Sequence, residues 1–133
     1  MNGGTYLLVL KLEDEIEIRR PRREVLKPGF YIYVGSAMNS LTGRLKRHLT
    51  RKKKVHWHID QLTEVADPIF FMAFVGKKIE RDLSIFLSRR LEVIKGFGSS
   101  DLDVEGNLFH LEDVSSLERI LKEVLEFFPP YKK

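Results

Sequence analysis

Residues 5–12, Thr-Tyr-Leu-Leu-Val-Leu-Lys-Leu, form a near-continuous apolar run of strand type. Successive strand side chains point to opposite faces, so an unbroken run predicts a strand buried on both sides. Such a strand must sit inside a sheet that is covered above and below.

The rest of the chain supplies the cover. Glu15–Arg19 alternates, with Ile16 and Ile18 on one face, and predicts a half-buried partner strand across a turn at Glu13–Asp14. Arg19–Lys27 is charged, contains Pro21 and reads as a loop, followed by the turn chemistry of Lys27-Pro28-Gly29. Phe30–Val34 predicts a third strand that ends at Gly35. Ser40 is an expected N-cap for a helix carrying Leu41, Leu45 and Leu49. His56–Thr63 favours neither helix nor strand. Pro68 is expected to break the chain before a strand at Ile69–Val75. A helix of about Lys78–Leu91 follows Gly76, with Ile79, Leu83, Phe86 and Leu87 as its apolar stripe. Gly96–Asp101 reads as a loop and Asn107–Leu111 as a short strand. Ser115-Ser116-Leu117-Glu118 reads as a capping box. It opens a helix with Leu117, Ile120, Leu121, Val124 and Phe128 at helical spacing, closed by Pro129-Pro130. The expected fold class is α+β: a small mixed, mainly antiparallel sheet flanked by about three helices. With 133 residues and 43% hydrophobic content, one domain is expected.

The longest apolar stretch, Ile69–Val75, is far short of the roughly 20 residues a spanning helix needs, so no membrane partner is expected. No basic leader precedes the first apolar run, which argues against a signal peptide. With no cysteine, disulfides and thiolate metal sites are excluded, and the expected compartment is the cytoplasm. Charged residues make up 32% and Gln occurs once, the bias of heat-adapted proteins. The net charge of +4 is concentrated: from Arg44 to Lys54 seven of eleven residues are Lys or Arg and none is acidic. Such a block reads either as the footprint of a polyanion partner or as a solvated helix end with a charged loop.

Three features carry chemistry. Tyr31 and Tyr33 point the same way on a strand running into Gly35. Arg44 and His48 share a helix face at i, i+4. Glu80 lies at the edge of a buried stripe, where a bare carboxylate needs a partner or a metal.

On these residues the chain resembles the GIY-YIG nuclease superfamily. Gly4-Thr5-Tyr6 is similar to the first signature and Tyr33-Val34-Gly35 to the second. Ser36, Ala37, Leu41 and Arg44 continue the resemblance into the helix, and His48 and Glu80 fall where the superfamily keeps a helix side chain and its metal-binding glutamate. His56-Trp57-His58-Ile59-Asp60 and Gly96-Phe97-Gly98-Ser99-Ser100-Asp101 resemble a small stand-alone prokaryotic branch, sometimes fused to a DNA-repair endonuclease. Two departures stand out: the long gap between Tyr6 and Tyr33, and Leu102 and Val104 where the branch often has cysteines.

The resemblance implies a metal-dependent endonuclease acting on DNA, or on RNA, in repair or processing of DNA structures. Tyr33 would act as base or order the attacking water, with Tyr6 bonded to it. Arg44 would neutralise the phosphate, and Glu80 would hold one Mg²⁺ or Mn²⁺. A phenol with a pKa near 10 is a poor base at neutral pH, so positive charge from Arg44 and the ion is expected to lower it. Lys46, Arg47, Arg51, Lys52, Lys53, Lys54, His56 and His58 would contact nucleic acid; Gly35, Ser36, Ser99, Ser100 and Asp101 would shape supporting loops. A homodimer or a repair-protein partner is the expected source of specificity. His56-x-His58-x-Asp60 also resembles a metallo-β-lactamase signature, but Gln61 replaces its last histidine and the chain is too short. Two other classes compete: a binding module that keeps the fold without cutting, and a purely structural or interaction domain.

Overall fold

A computed structural model of the chain describes residues 2–98 and 103–130. The elements run β1 (Gly4–Leu12), β2 (Ile16–Ile18), β3 (Glu24–Leu26), β4 (Gly29–Ala37), α1 (Leu41–Leu49), α2 (Asp60–Thr63), β5 (Asp67–Val75), α3 (Glu80–Ser88), β6 (Glu92–Val93), β7 (Leu108–Leu111) and α4 (Val114–Phe127). The fold is α+β. Five strands form an antiparallel sheet in the order β5-β1-β4-β7-β6, and β2 and β3 form a separate two-stranded ribbon.

β1 lies inside the sheet and is covered on both faces. Tyr6, Leu8 and Leu10 enter one core with Tyr31, Leu41, Ile59, Leu62, Phe97 and the ribbon residues Ile18 and Leu26. Leu7 and Val9 enter a second core with Ile32, Val34, Leu83, Leu87, Ile120 and Val124. The first core therefore lies under α1, α2 and the ribbon, the second under α3 and α4. Each fully buried Leu or Val contributes roughly 1.5–3 kcal/mol, so this two-sided burial anchors the sheet.

Several expectations are corrected. Residues 16–18 do not pair with β1, because both of its edges are taken, by β4 and β5; they pair instead with β3, inside the stretch expected to be a loop. β4 does not stop at Gly35 but runs to Ala37, since its pairing with β1 continues to Gly4↔Ala37. Pro68 lies within β5 rather than before it. This is the edge strand, and a register irregularity opposite Val9 and Leu10 accommodates a residue with no N–H to donate. α3 is shorter than expected, starting at Glu80 and ending at Ser88. α4 is capped not by the Ser115 box but by Asp113, whose side chain accepts from the Ser116 N–H at 2.7 Å. His56–Asp60 is a turn leading into the short α2. Of the α1 leucines only Leu41 is buried; Leu45 is half-buried and Leu49 exposed, while His48 takes the inward position.

Candidate functional site

The antiparallel register sets Tyr6 directly opposite Gly35. A Cβ on Gly35 would lie 2.5 Å from the Tyr6 ring and hydroxyl and 3.0 Å from the Tyr33 ring, so the glycine makes room for both phenols. The two rings lie 6.3 Å apart, and Tyr33 also meets His48 edge-on at 5.9 Å. The Tyr6 hydroxyl bonds His48 Nε2 at 2.6 Å. His48 is buried, and burial pushes its pKa down to about 4, outweighing the opposite pull of the Asp60 charge. The imidazole is therefore neutral at pH 7, and Tyr6 donates to it when Nδ1 carries the proton.

Arg44 lies half-buried on α1 and donates from Nη1 to the Ser36 carbonyl at 2.8 Å. The other side of the site is the start of α3. Thr5 Oγ1 donates to the Lys77 carbonyl at 2.8 Å and accepts from the Ile79 N–H at 3.0 Å, tying that helix start to β1. Glu80 follows at once. A cleft of about 540 Å³ opens here, lined by Gly3–Thr5, Ser36–Met38, Gly76–Lys78, Glu80 and Arg81. Glu80 faces the tyrosines electrostatically. Burial pushes the Tyr33 phenol well up and the Glu80 carboxylate adds to the rise, with Arg44 pulling the other way. Burial likewise raises Tyr6, with smaller contributions from Tyr33 and Glu80 against Arg44. Arg44 acts in the expected direction, but desolvation and Glu80 outweigh it, and the phenol is neutral at pH 7.

Tyr6, Tyr33, Arg44, His48, Gly35 and Ser36 are grouped where β1 and β4 pass beside α1, and Glu80 is near enough to act on both phenols; of these residues only Ser36 and Glu80 line the cleft. The basic block divides. Arg47 pairs with Asp60 at 2.6 Å and Arg51 with Asp67 at 2.8 Å, while Lys53 donates to the Thr63 hydroxyl at 3.0 Å and to the Thr50 carbonyl. Lys46, Lys52 and Lys54 are exposed and form no ion pair among the described residues. None of the block from Lys46 to Lys54 lines the cleft. His58 is half-buried, accepts from the Gly98 N–H on Nδ1 at 2.9 Å and packs edge-on against Phe97, whereas His56 is exposed. Ser99, Ser100 and Asp101 lie outside the described residues.

Lys77, Lys78 and Arg81 border the cleft and were not singled out in the sequence. Their signal was present: three cations within five residues, flanking Glu80. Among the described residues no group of three or more His, Asp or Glu side chains is placed to hold a metal ion. Glu80 supplies a single hard carboxylate beside a cation-lined cleft. That donor set suits a hydrated Mg²⁺ or Mn²⁺ completed by water and a phosphate, not a preformed all-protein cage. No helix among the described residues is long and apolar enough to cross a membrane. No curated protein and no solved structure matches the chain. A protein-family comparison does: residues 5–129, nearly the whole chain, match the family described as domain of unknown function DUF123, and the chain belongs to that family.

Proposed function

We propose that the protein is a GIY-YIG-type, metal-dependent endonuclease that hydrolyses phosphodiester bonds in DNA, with a role in repair or processing of DNA structures. The observation that carries this reading is the mutual proximity of two phenols, a guanidinium and a carboxylate, each on an element that fixes it: Tyr6 on β1, Tyr33 on β4, Arg44 on α1, bonded to Ser36 of the cleft wall, and Glu80 on α3, which lines the cleft. Phosphodiester cleavage requires an ordered water and neutralisation of phosphate charge. Glu80 is the residue that would hold Mg²⁺ or Mn²⁺, and the ion would supply Lewis-acid charge at the phosphate. Arg44 compensates charge on the non-bridging oxygens. Tyr33, neutral at pH 7, orients the attacking water through its hydroxyl. Tyr6 bonds His48, and not Tyr33 as expected, and sets its ring beside the neighbouring phenol. Lys78 and Arg81 at the cleft, and the exposed Lys46, Lys52 and Lys54 on and after α1, are the cations that would contact the backbone of a nucleic acid.

The test incubates the protein with duplex, branched and single-stranded DNA, and with RNA, with and without Mg²⁺ or Mn²⁺. Cleavage that requires the ion and disappears in both Tyr33→Phe and Glu80→Ala supports the reading. Cleavage that survives both substitutions overturns this site. Salt-sensitive binding with no cleavage of any substrate would instead make the protein a binding module on the same fold.

A further inference from the structure

Trp57 and Asp60, to which the proposed reaction assigns no part, belong to a turn packed beside Arg44. We infer that Trp57 is a positioning residue that holds the Arg44 guanidinium against the Ser36 carbonyl of the cleft wall, and that Asp60 sets Trp57 in place; this rests on Arg44 being the phosphate-facing charge.

Asp60 is fully buried. Its Oδ2 accepts from the His56 N–H at 2.9 Å, the Trp57 N–H at 2.9 Å and Arg47 Nη2 at 2.6 Å. Burial by itself would raise this carboxyl, but the two backbone donors and Arg47 hold it below the usual carboxylate range, so it is ionised at neutral pH. One carboxylate thus closes the 56–60 turn and clamps it to α1. The clamped turn brings the indole of Trp57 against α1, where the Cζ atoms of Arg44 and Arg47 each lie 4.5 Å from the ring. Both residues belong to one helix face, three positions apart.

Two guanidiniums around one ring would repel each other. The ring attracts both through its electron-rich faces, and Asp60 compensates Arg47 alone. Arg44 is left with its charge uncompensated by any ion pair among the described residues, its side chain against the indole and Nη1 on the Ser36 carbonyl of the cleft wall. A long, flexible side chain is thereby fixed at two points. Preorganisation of this kind is what charge stabilisation in a transition state needs, since it removes reorganisation at the moment of reaction. The same contacts occupy the indole, which argues against Trp57 as a stacking platform for a nucleobase.

The experiment compares wild type, Trp57→Phe, Trp57→Leu and Asp60→Asn, using NMR of the arginine Nε–Hε groups, assigned with Arg44→Lys and Arg47→Lys, and steady-state cleavage of a DNA substrate. The expected result is ring-current-shifted Arg44 and Arg47 signals in wild type and Trp57→Phe, lost in Trp57→Leu and in a folded Asp60→Asn. Cleavage should follow: kcat falls roughly 10–100-fold in Trp57→Leu with KM little changed, and Trp57→Phe restores most of it. Unshifted arginine signals in wild type overturn the inference, and so does a Trp57→Leu variant whose defect lies in KM alone. Should wild type cut no substrate, the nuclease reading fails separately; the arginine signals still decide whether Trp57 holds Arg44.

Discussion

At the residue scale, the arrangement turns on a buried phenol–imidazole pair. Tyr6 and His48 Nε2 bond each other away from water, and removing one partner leaves the other with an unmet hydrogen bond. Tyr6→Phe is expected to lower unfolding free energy by about 1–3 kcal/mol, measured by urea denaturation. Gly35→Ala should be worse for function than its size suggests, since the added methyl would displace both tyrosine rings; a variant that folds and cleaves normally would show that the rings have room to move. His48 also sets a pH dependence. In the unfolded chain it takes up a proton near its ordinary value of 6.5, whereas the folded protein resists protonation until about pH 4. The unfolded state therefore binds more protons within that window, and stability is complete above it and falls as pH drops through it. The total loss is on the order of 3 kcal/mol. Urea midpoints at pH 7.5, 5.5 and 4.5 measure the slope, and His48→Asn should flatten it.

At the element scale, packing and capping decide where each helix lies and begins. The α1 face directed at the sheet carries Leu41, Arg44, Leu45 and His48, so two polar residues stand where an apolar stripe would be expected. Polar residues at such positions are what the proposed site requires of this helix. α4 shows the opposite case, a helix whose role is to cover the second core. Its cap is Asp113, held ionised by the Ser116 N–H, and not the serine pair that follows. Asp113→Ala should lower the melting temperature, while Ser115→Ala should leave it unchanged; the reverse ordering would restore the capping box. The stabilisation from Asp113 is present above the ordinary carboxylate pKa and disappears as pH falls through its lowered value.

At the scale of the whole molecule, the distribution of charge matters more than its sum. Half-committed basic residues brace the fold: Arg47 and Arg51 tie α1 and its following loop to Asp60 and Asp67. The exposed Lys46, Lys52 and Lys54 remain available for phosphates. Each backbone contact contributes roughly −0.9 to the slope of log K against log salt on duplex DNA, so replacing these three lysines with glutamine should make the slope shallower by about 3. Replacing Arg51 should instead reduce stability and change the slope little. Salt titrations of binding to a fluorescent duplex, beside thermal melts, separate the two effects.

The sequence by itself determined the double-sided burial of β1, the α+β class, the strand through Tyr33 followed by a helix capped by Ser40, and the order of Tyr6, Tyr33, Arg44 and Glu80. These are legible because hydrophobic periodicity, turn residues and caps act over a few neighbouring positions. Only the tertiary structure decided which strand pairs with which, since an alternating segment such as Ile16–Ile18 carries no mark of its partner and β1 had no free edge left. It also decided the states of the side chains. Whether Arg47 is a surface cation or the partner of a buried Asp60, whether His48 is charged or neutral, and whether Trp57 faces a base or two arginines depend on desolvation and on residues distant in the chain. The tyrosines of β1 and β4 are thus recognisable from sequence as a pair, but their neutrality follows from the burial and the Glu80 charge that folding brings to them.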